Sequence, residues 1–331
     1  MSLHDDMVLM GDRAVSASRQ LLPLTSRRKN AILDAMAAEL EQRRKTILEA
    51  NARDMDAGTN AGLSAAFLDR LRLDDSRLDS MIKGLQGLSG LKDPIGARLS
   101  RWIRPNGLVI VKKRVPIGVI AIIYESRPNV TADTAGLCIK TSNAVILRGG
   151  HEALYSNVAI SDAMIAGGHR KGLTEYAIQF VYSTDRDAVR ELVQLEGRVD
   201  LAIPRGGESL IKAIVEQARI PVIKHYKGVC HVFVDSAANL DMAMAIVENA
   251  KCQRPGVCNA METLLVHEAV APVFLPRIAA RLTELKVELR GDETSRTLVP
   301  SMKPAADSDW REEYLALILA VKVVPSVEAA I

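Results

Sequence analysis

The residue best suited to covalent chemistry is a cysteine between a predicted helix and a predicted strand. Cys258 stands in the string CQRPGVCNAMETLLVH. Pro255 and Gly256 end the helix, which predicts Cys258 on a turn whose backbone N–H groups can stabilise a thiolate or an oxyanion. A thiolate there can attack an acyl carbon and form a thioester. Cysteine is also often a small buried hydrophobe, and local chemistry alone leaves that alternative open.

The other three cysteines are predicted to be structural. Cys138 lies in the apolar helix AGLCIK, and Cys230 and Cys252 have no partner motif. The sequence contains no C-x-x-C pair and no His-rich tract, so neither a disulfide framework nor a metal site is expected. It also lacks a G-x-G-x-x-G fingerprint and a P-loop.

Composition excludes several classes of function. The net charge of +3 over 331 residues and an aromatic content of 4% argue against nucleic-acid binding. The apolar stretch from Val115 to Tyr124 is far below the roughly 20 residues needed to cross a bilayer, so no membrane association is expected. The N-terminus begins MSLHDDMVLMGDR, with acids where a signal peptide has basic residues. We expect a reduced, soluble, cytoplasmic protein of two domains.

Strands and helices alternate from Pro116 onward, which predicts a doubly wound α/β fold. The short β-branched run 119–123 is typical of a buried parallel strand. A second α/β unit is predicted to start near Gly228. A strand-like run at 315–324 and a helix opening at Ser326 leave a layer unfinished, so a C-terminal portion is expected to be missing.

Two elements are predicted before this alternation. Residues 26–50 have the spacing of one amphipathic helix, with Ser26 as its N-cap. Residues 102–103 and 108–115 flank Pro-Asn-Gly, which predicts a β-hairpin.

Three long strings, in order along the chain, resemble a known family. They are VPIGVIAIIYESRPNVTADTAGLCIKTSNAVILRGG, VDLAIPRGGESLIK and QRPGVCNAMETLLVH. They resemble the gamma-glutamyl phosphate reductases (glutamate-5-semialdehyde dehydrogenases) of the aldehyde dehydrogenase superfamily. The resemblance implies a cofactor-binding domain (1–100 and 116–227), an oligomerisation hairpin (101–115) that joins a partner subunit's sheet, and an incomplete catalytic domain (228–331).

The resemblance also implies the reaction. The thiolate of Cys258 displaces phosphate from L-glutamyl 5-phosphate, and NADPH reduces the resulting thioester to L-glutamate 5-semialdehyde, a step of proline biosynthesis. A homo-oligomer is implied, and association with the upstream glutamate kinase is a further expectation.

Catalytic and substrate residues follow from the same resemblance. Asn129 is similar in position to the superfamily's oxyanion-hole Asn, with a helix cap or Asx-turn as its structural alternative. Arg127 beside it is suited to a carboxylate or phosphate of the substrate.

Cofactor residues are implied at strand ends. Arg148 stands where the superfamily keeps a Lys near the adenosine ribose, and a guanidinium there suits the 2′-phosphate of NADPH; a plain surface Arg is the alternative. Glu313 resembles the acid that meets the nicotinamide ribose, although Leu315 replaces the usual Phe. Two glycine turns could approach the pyrophosphate, or could be ordinary turns; their residues are Gly149, Gly150, Pro204, Arg205, Gly206 and Gly207.

Three other functions stay open. A hydrolytic NAD(P)-dependent aldehyde dehydrogenase needs a Glu upstream of the cysteine, but that position holds His225, 33 residues before Cys258. The missing carboxylate favours reduction of an acyl phosphate and, in reverse, phosphorolysis. A cysteine hydrolase without nicotinamide would need a His–Asn partner that no motif defines. An inactive nucleotide-binding scaffold is the third alternative.

Overall fold

A computed structural model describes residues 2–224 and 228–331. The chain divides into two compact units, Met1–His225 and Tyr226–Ile331, each with its own apolar core. Among the described residues, no helix has the length and apolar character needed to cross a membrane.

Five helices open the first unit: α1 (Leu3–Leu21), α2 (Ser26–Gln42), α3 (Arg44–Asn60), α4 (Ala65–Leu71) and α5 (Asp75–Gly90). The prediction of a single helix over 26–50 is wrong, because the backbone at Arg43 turns to φ −95° and ψ 14° and separates α2 from α3. Ser26 is also not the N-cap. The hydroxyl of Thr25 accepts the N–H of Arg28, so the N-cap lies one residue earlier than predicted.

The predicted hairpin is confirmed. Strands β1 (Arg98–Ile103) and β2 (Val109–Lys113) pair antiparallel, with Trp102 opposite Ile110, and form a sheet of their own. Gly107 turns the chain at φ +83°, a conformation that glycine adopts without strain.

The sheet of the first unit has four parallel strands in the order β5-β4-β3-β6. Its elements are β3 (Val119–Tyr124), α6 (Asn129–Lys140), β4 (Ala144–Gly149), α7 (Leu154–Arg170), β5 (Ile178–Phe180), α8 (Asp187–Val193), β6 (Leu201–Arg205) and α9 (Glu208–Gln217). β3 and β4 are buried at every position, which explains their continuous apolar sequences. The strand order reverses between β3 and β6. Ligands of such sheets bind outside the carboxyl ends of the strands at this switch point.

The second unit has five parallel strands in the order β10-β9-β11-β8-β7. Its elements are β7 (Cys230–Val234), α10 (Leu240–Cys252), β8 (Met261–His267), α11 (Ala271–Glu284), β9 (Glu288–Gly291), α12 (Glu293–Leu298), β10 (Lys303–Pro304), β11 (Ile318–Val324) and α13 (Val327–Ala330). The strand-like run at 315–324 is β11, which lies between β8 and β9. The predicted α/β class, with parallel sheets, is confirmed.

Candidate active site

Cys258 lies on the predicted turn. Helix α10 ends at Cys252, β8 begins at Met261, and the intervening turn leaves Cys258 exposed. The N–H of Ala260 donates to the carbonyl of Val257 at 3.0 Å and closes the last part of the turn. The thiol is therefore accessible to a substrate in solution.

A buried ion pair ties the two ends of this turn together. Lys251 in the last turn of α10 and Glu262 in β8 are 0% and 1% exposed, and Nζ lies 2.6 Å from Oε2. Lys251 Nζ also donates to the carbonyl of Met261 at 2.9 Å. The other carboxylate oxygen of Glu262 accepts the N–H of Leu315 at 3.1 Å. The pair thus connects the Cys258 turn with the segment that carries Glu313. The sequence analysis did not predict this ion pair, although a Lys and a Glu beside apolar runs are a signal of one.

Cys230, which the sequence predicts to be structural, also lies beside this turn. It opens β7, next to β8, and its Sγ donates to the carbonyl oxygen of Cys258 at 3.3 Å. Partial burial raises the pKa of Cys230, and the negative charges of Cys258, Glu262 and Glu313 add to the rise. The structure therefore brings Cys230, Cys258, Glu262 and Glu313 of the second unit near one another.

Glu313 lies half-buried in the loop before β11. Its neighbour Tyr314 donates its hydroxyl to Asp309 Oδ1 at 2.6 Å, and Arg290 donates to the same oxygen at 2.8 Å. These bonds fix the loop from the side opposite Glu262. Leu315, which replaces the family's Phe, is 37% exposed and adopts φ +51°.

In the first unit, the turn at Gly206 and Gly207 meets a carboxylate at the switch point. Glu125, directly after β3, accepts the N–H of Gly207 through Oε2 at 2.9 Å. A Cβ on Gly206 would lie 2.5 Å from the same oxygen. Glu125 therefore caps the N-terminus of α9, and the backbone donors expected for a pyrophosphate contact the chain's own anion. Pro204 and Arg205 are the last residues of β6.

The turn at Gly149 and Gly150 has a similar arrangement. A Cβ on Gly149 would overlap the amide of Asn157, and one on Gly150 would overlap the carboxylate of Glu152. Glu152 Oε1 accepts the N–H of Ser126 at 2.6 Å. Ser126 itself is 5% exposed with φ +44°, a strained conformation for a non-glycine residue and a frequent sign of a functional site. At Gly149 the obstacle to a side chain is the fully buried amide of Asn157, whereas at Gly150 it is the end of the Glu152 side chain.

Arg148 is not the surface arginine of the alternative interpretation, because it is only 9% exposed. Its two terminal nitrogens donate to the carbonyl oxygens of Gly149 at 2.8 Å and of Thr184 and Asp185 at 3.3 Å. Burial lowers the pKa of Arg148. Its Nε is buried with no hydrogen-bond partner among the described residues. The three bonds use three of the five guanidinium N–H groups.

Asn129 is the first residue of α6 and is exposed. Its Nδ2 donates to Asp133 Oδ2 at 2.9 Å, whereas Pro128 occupies the N-cap position, so the helix-cap alternative is wrong. Arg127 is half-buried just before the helix. Their predicted catalytic and substrate roles stay predictions.

His225, the residue at the position of the missing Glu, lies outside the described residues. Within residues 2–224 and 228–331, no group of three His, Cys, Asp or Glu side chains is placed to hold a metal ion.

Comparison with known proteins agrees with this geometry. The aldehyde dehydrogenase family model matches residues 5–318, and the chain belongs to the aldehyde dehydrogenase family. Within that family it is similar to the gamma-glutamyl phosphate reductases. The protein of that name from Moorella thermoacetica is 54% identical over 331 residues, which are all of this chain and 79% of the relative. The corresponding protein from Geobacter metallireducens is 50% identical over the same shares.

A solved structure supports the same relationship. The crystal structure of gamma-glutamyl phosphate reductase from Thermotoga maritima matches with a TM-score of 0.91 and 44% identity, over 98% of this chain and 78% of that chain. The resemblance drawn from the three sequence strings is thus confirmed.

Proposed function

We propose that this chain reduces L-glutamyl 5-phosphate to L-glutamate 5-semialdehyde with NADPH and releases phosphate, as a step of proline biosynthesis. The observation that carries the proposal is identity of about half of all positions, along the whole chain, with proteins named for this activity. An exposed cysteine on a turn between α10 and β8 supplies the chemistry that such a reaction needs.

Cys258 acts as the nucleophile in this proposal. Its thiolate attacks the acyl carbon, the C–O bond to phosphate breaks, and a thioester to Cys258 forms. Phosphate is a good leaving group, so the protein's main tasks are to position the carbonyl and to stabilise the charge that develops on its oxygen. Backbone N–H groups of the turn are the donors we propose for that oxygen, and the oxyanion role of Asn129 stays a prediction. Arg127 would hold an anionic group of the substrate.

The buried ion pair supports a fixed position for the nucleophile. Lys251 and Glu262 join the two ends of the turn by bonds of 2.6 and 2.9 Å that water cannot reach. A reactive group whose turn is held by such buried bonds loses little entropy when the substrate binds.

The first unit offers a set of donors that fits an anionic dinucleotide. Gly206 and Gly207 lie at the N-terminus of α9 and at the switch point of the sheet, and Arg148 has an unpartnered buried Nε. We propose that Gly206, Gly207 and the end of β6 hold the pyrophosphate of NADPH, and that Arg148 with the turn at 149–150 holds its adenosine end. When bound, NADPH supplies the hydride that reduces the thioester. Glu313 would hold the nicotinamide ribose.

Glu125 has a defined part in this arrangement. Its carboxylate accepts the same N–H of Gly207 that a phosphate would use, and a phosphate beside it would be repelled. The side chain of Glu125 must therefore turn away from α9 before a dinucleotide can bind there.

We also propose that the chain forms a homo-oligomer through the hairpin. β1 and β2 pair only with each other among the described strands, and the hairpin exposes apolar side chains on both of its faces. These are Leu99, Trp102, Ile103, Leu108, Val109 and Val111. An exposed apolar ribbon with open edges suits addition to the sheet of a second copy. The cytoplasm is the compartment we propose, in keeping with four free cysteines. Association with the glutamate kinase stays a prediction.

Phosphate dependence distinguishes this function from its alternatives. We expect the enzyme to reduce NADP⁺ with glutamate 5-semialdehyde only when phosphate is present, because phosphate must take the acyl group from Cys258. Robust oxidation without phosphate would instead establish a hydrolytic aldehyde dehydrogenase, and no turnover at all would favour an inactive scaffold. Cys258→Ala should abolish the reaction, whereas His225→Ala should leave thioester formation intact.

A further inference from the structure

Two of the four cysteines lie on neighbouring elements of the second unit. Cys230 opens β7 and pairs in register with Met261 of β8, while Cys258 lies on the turn three residues before Met261. The Sγ of Cys230 donates to the carbonyl oxygen of Cys258 at 3.3 Å. A Cβ on Gly228 would lie 3.4 Å from that same oxygen. The backbone of the Cys258 turn is therefore packed directly against the start of β7.

We propose that Cys230 and Cys258 form a reversible disulfide when the protein meets a peroxide. In this proposal Cys230 is the resolving cysteine that protects the exposed thiol of Cys258. This role is separate from the proposed reduction of an acyl phosphate.

The distances bring the two side chains within reach. A carbonyl oxygen lies about 2.4 Å from its own Cα, so the Sγ of Cys230 lies within about 6 Å of the Cα of Cys258. In a disulfide, each sulphur lies only about 4–4.5 Å from the Cα of the other cysteine, because the S–S bond is about 2.05 Å long. The bond therefore requires a new rotamer at Cys258 and a small shift of the turn, which is neither helix nor strand at this residue. The disulfide would thus link the first residue of β7 to the turn that precedes β8.

The environments of the two thiols decide which of them is oxidised first. Cys258 is exposed, whereas Cys230 is half-buried and its pKa is raised by burial and by nearby negative charge. The thiolate of Cys258 reacts with hydrogen peroxide, the O–O bond breaks, and a sulfenic acid and water are formed after proton transfer. Cys230 then attacks the sulfenic sulphur, the S–O bond breaks, and hydroxide leaves as water with the proton of Cys230. The two sulphurs supply the two electrons, and an external dithiol returns them.

The disulfide stops the oxidation of Cys258 at a reversible stage. Without a neighbouring thiol, a sulfenic acid proceeds with further peroxide to sulfinic acid, which dithiols do not reduce. Cys138 does not compete, because it is buried and burial raises its pKa to about 12.

Peptide mapping after peroxide treatment tests the proposal on the whole chain. Trypsin should release residues 228–251 with Cys230, and residues 252–277 with both Cys252 and Cys258, since Arg254 precedes Pro255. The experiment is therefore done in the Cys252→Ala variant, where a link between these two peptides has one assignment. We expect this link, a mass loss of about 2 Da, and recovery of both thiols with dithiothreitol.

The matched variant carries Cys230→Ser in addition to Cys252→Ala. Here we expect no link, and Cys258 should gain about 32 Da as sulfinic acid, with at least a several-fold larger irreversible loss of its alkylation by iodoacetamide. If peroxide instead produces sulfinic acid at Cys258 equally in both variants, or no link forms while Cys230 remains intact, the proposal is wrong. The mapping with Cys230 present decides this even if the serine variant folds poorly. Since every readout is a thiol or a mass, the result does not depend on turnover with NADPH.

Discussion

Replacing Glu125 by Gln should tighten the binding of NADPH, since its carboxylate occupies the donor that we propose for the pyrophosphate. Glu125 Oε2 lies 2.9 Å from the backbone N of Gly207. A phosphate that accepts the same N–H would bring a second anion to about 4 Å, where two charges repel by about 1 kcal/mol in water and more in a less polar environment. Glu125 is half-buried and near solvent, so we use the lower figure.

This magnitude corresponds to a Kd for NADPH about fivefold lower in the Glu125→Gln variant. A second estimate, for a carboxylate that turns away from Gly207, gives a similar free energy. If the carboxylate turns away, the protein loses a charge-assisted bond at the N-terminus of α9, which contributes about 0.3–1 kcal/mol. The same loss should lower the free energy of unfolding of the unbound variant by that amount.

Fluorescence titration with NADPH, without substrate, measures the change directly. Glu216→Gln is the matched control, because Glu216 is an exposed carboxylate near the opposite end of α9 and its replacement changes the net charge equally. The gain should shrink at high salt, as expected for charges near solvent. A Kd unchanged from that of Glu216→Gln, or a higher one, would refute the placement of the pyrophosphate at Gly207.

Three further predictions concern groups whose surroundings are equally well defined. Lys251→Met should lower the free energy of unfolding by about 3–5 kcal/mol, because it leaves the carboxylate of Glu262 buried and unpaired; denaturant unfolding should show most of the loss restored when Glu262→Leu is added. Arg148→Ala should raise the Kd of NADPH well above any rise for NADH, and equal effects on the two cofactors would contradict contact with the 2′-phosphate. Asp309 has a lowered pKa in the folded protein. Burial alone would raise this pKa, but hydrogen bonds from Tyr314, the N–H of Ala306 and Arg290 outweigh burial and lower it. The stability that Asp309 contributes should therefore be complete above the pKa of an unfolded Asp, about 3.9, and should be lost as the pH falls through the lower pKa of the folded protein. Asp309→Asn should remove this part of the acid dependence of unfolding.

Elements with a strong local pattern could be predicted from the sequence. The continuous apolar strings of β3 and β4 follow from burial on both faces of a parallel sheet. Asn106-Gly107 supplies the turn of the hairpin, and Pro255-Gly256 places Cys258 outside a helix. In each case the cause lies within a few residues of the feature.

Two features of the first unit were missed. Helix α1 buries Met7, Gly11, Ala14, Ala17 and Leu21, and three of these five residues are Gly or Ala, which are weak signals of a buried face. The break at Arg43 has no Gly or Pro to announce it.

The contacts around the candidate site residues could not be predicted for a different reason, because they join residues far apart in sequence. Glu125 and Gly207 are 82 residues apart, and Glu262 and Leu315 are 53 apart. Glycine after a strand indicates close approach, but the sequence does not say which group approaches. The structure shows that it is an amide or a carboxylate of the chain itself at Gly149, Gly150 and Gly206.

The Cys258 turn and the Gly207 turn are held by bonds of very different strength. The Cys258 turn is held by Lys251 and Glu262, whose ion pair is inaccessible to water and can be broken only at a large cost. The turn at Gly207 is held by the half-buried carboxylate of Glu125, whose bond to an N–H is worth about 1 kcal/mol and can be exchanged for a bond to a phosphate. The two ends of the Cys258 turn are thus held before any ligand arrives, whereas the proposed cofactor must compete with the protein for the N-terminus of α9. Such competition weakens binding of the dinucleotide without altering the position of the thiol, and a weaker complex also releases its spent cofactor faster.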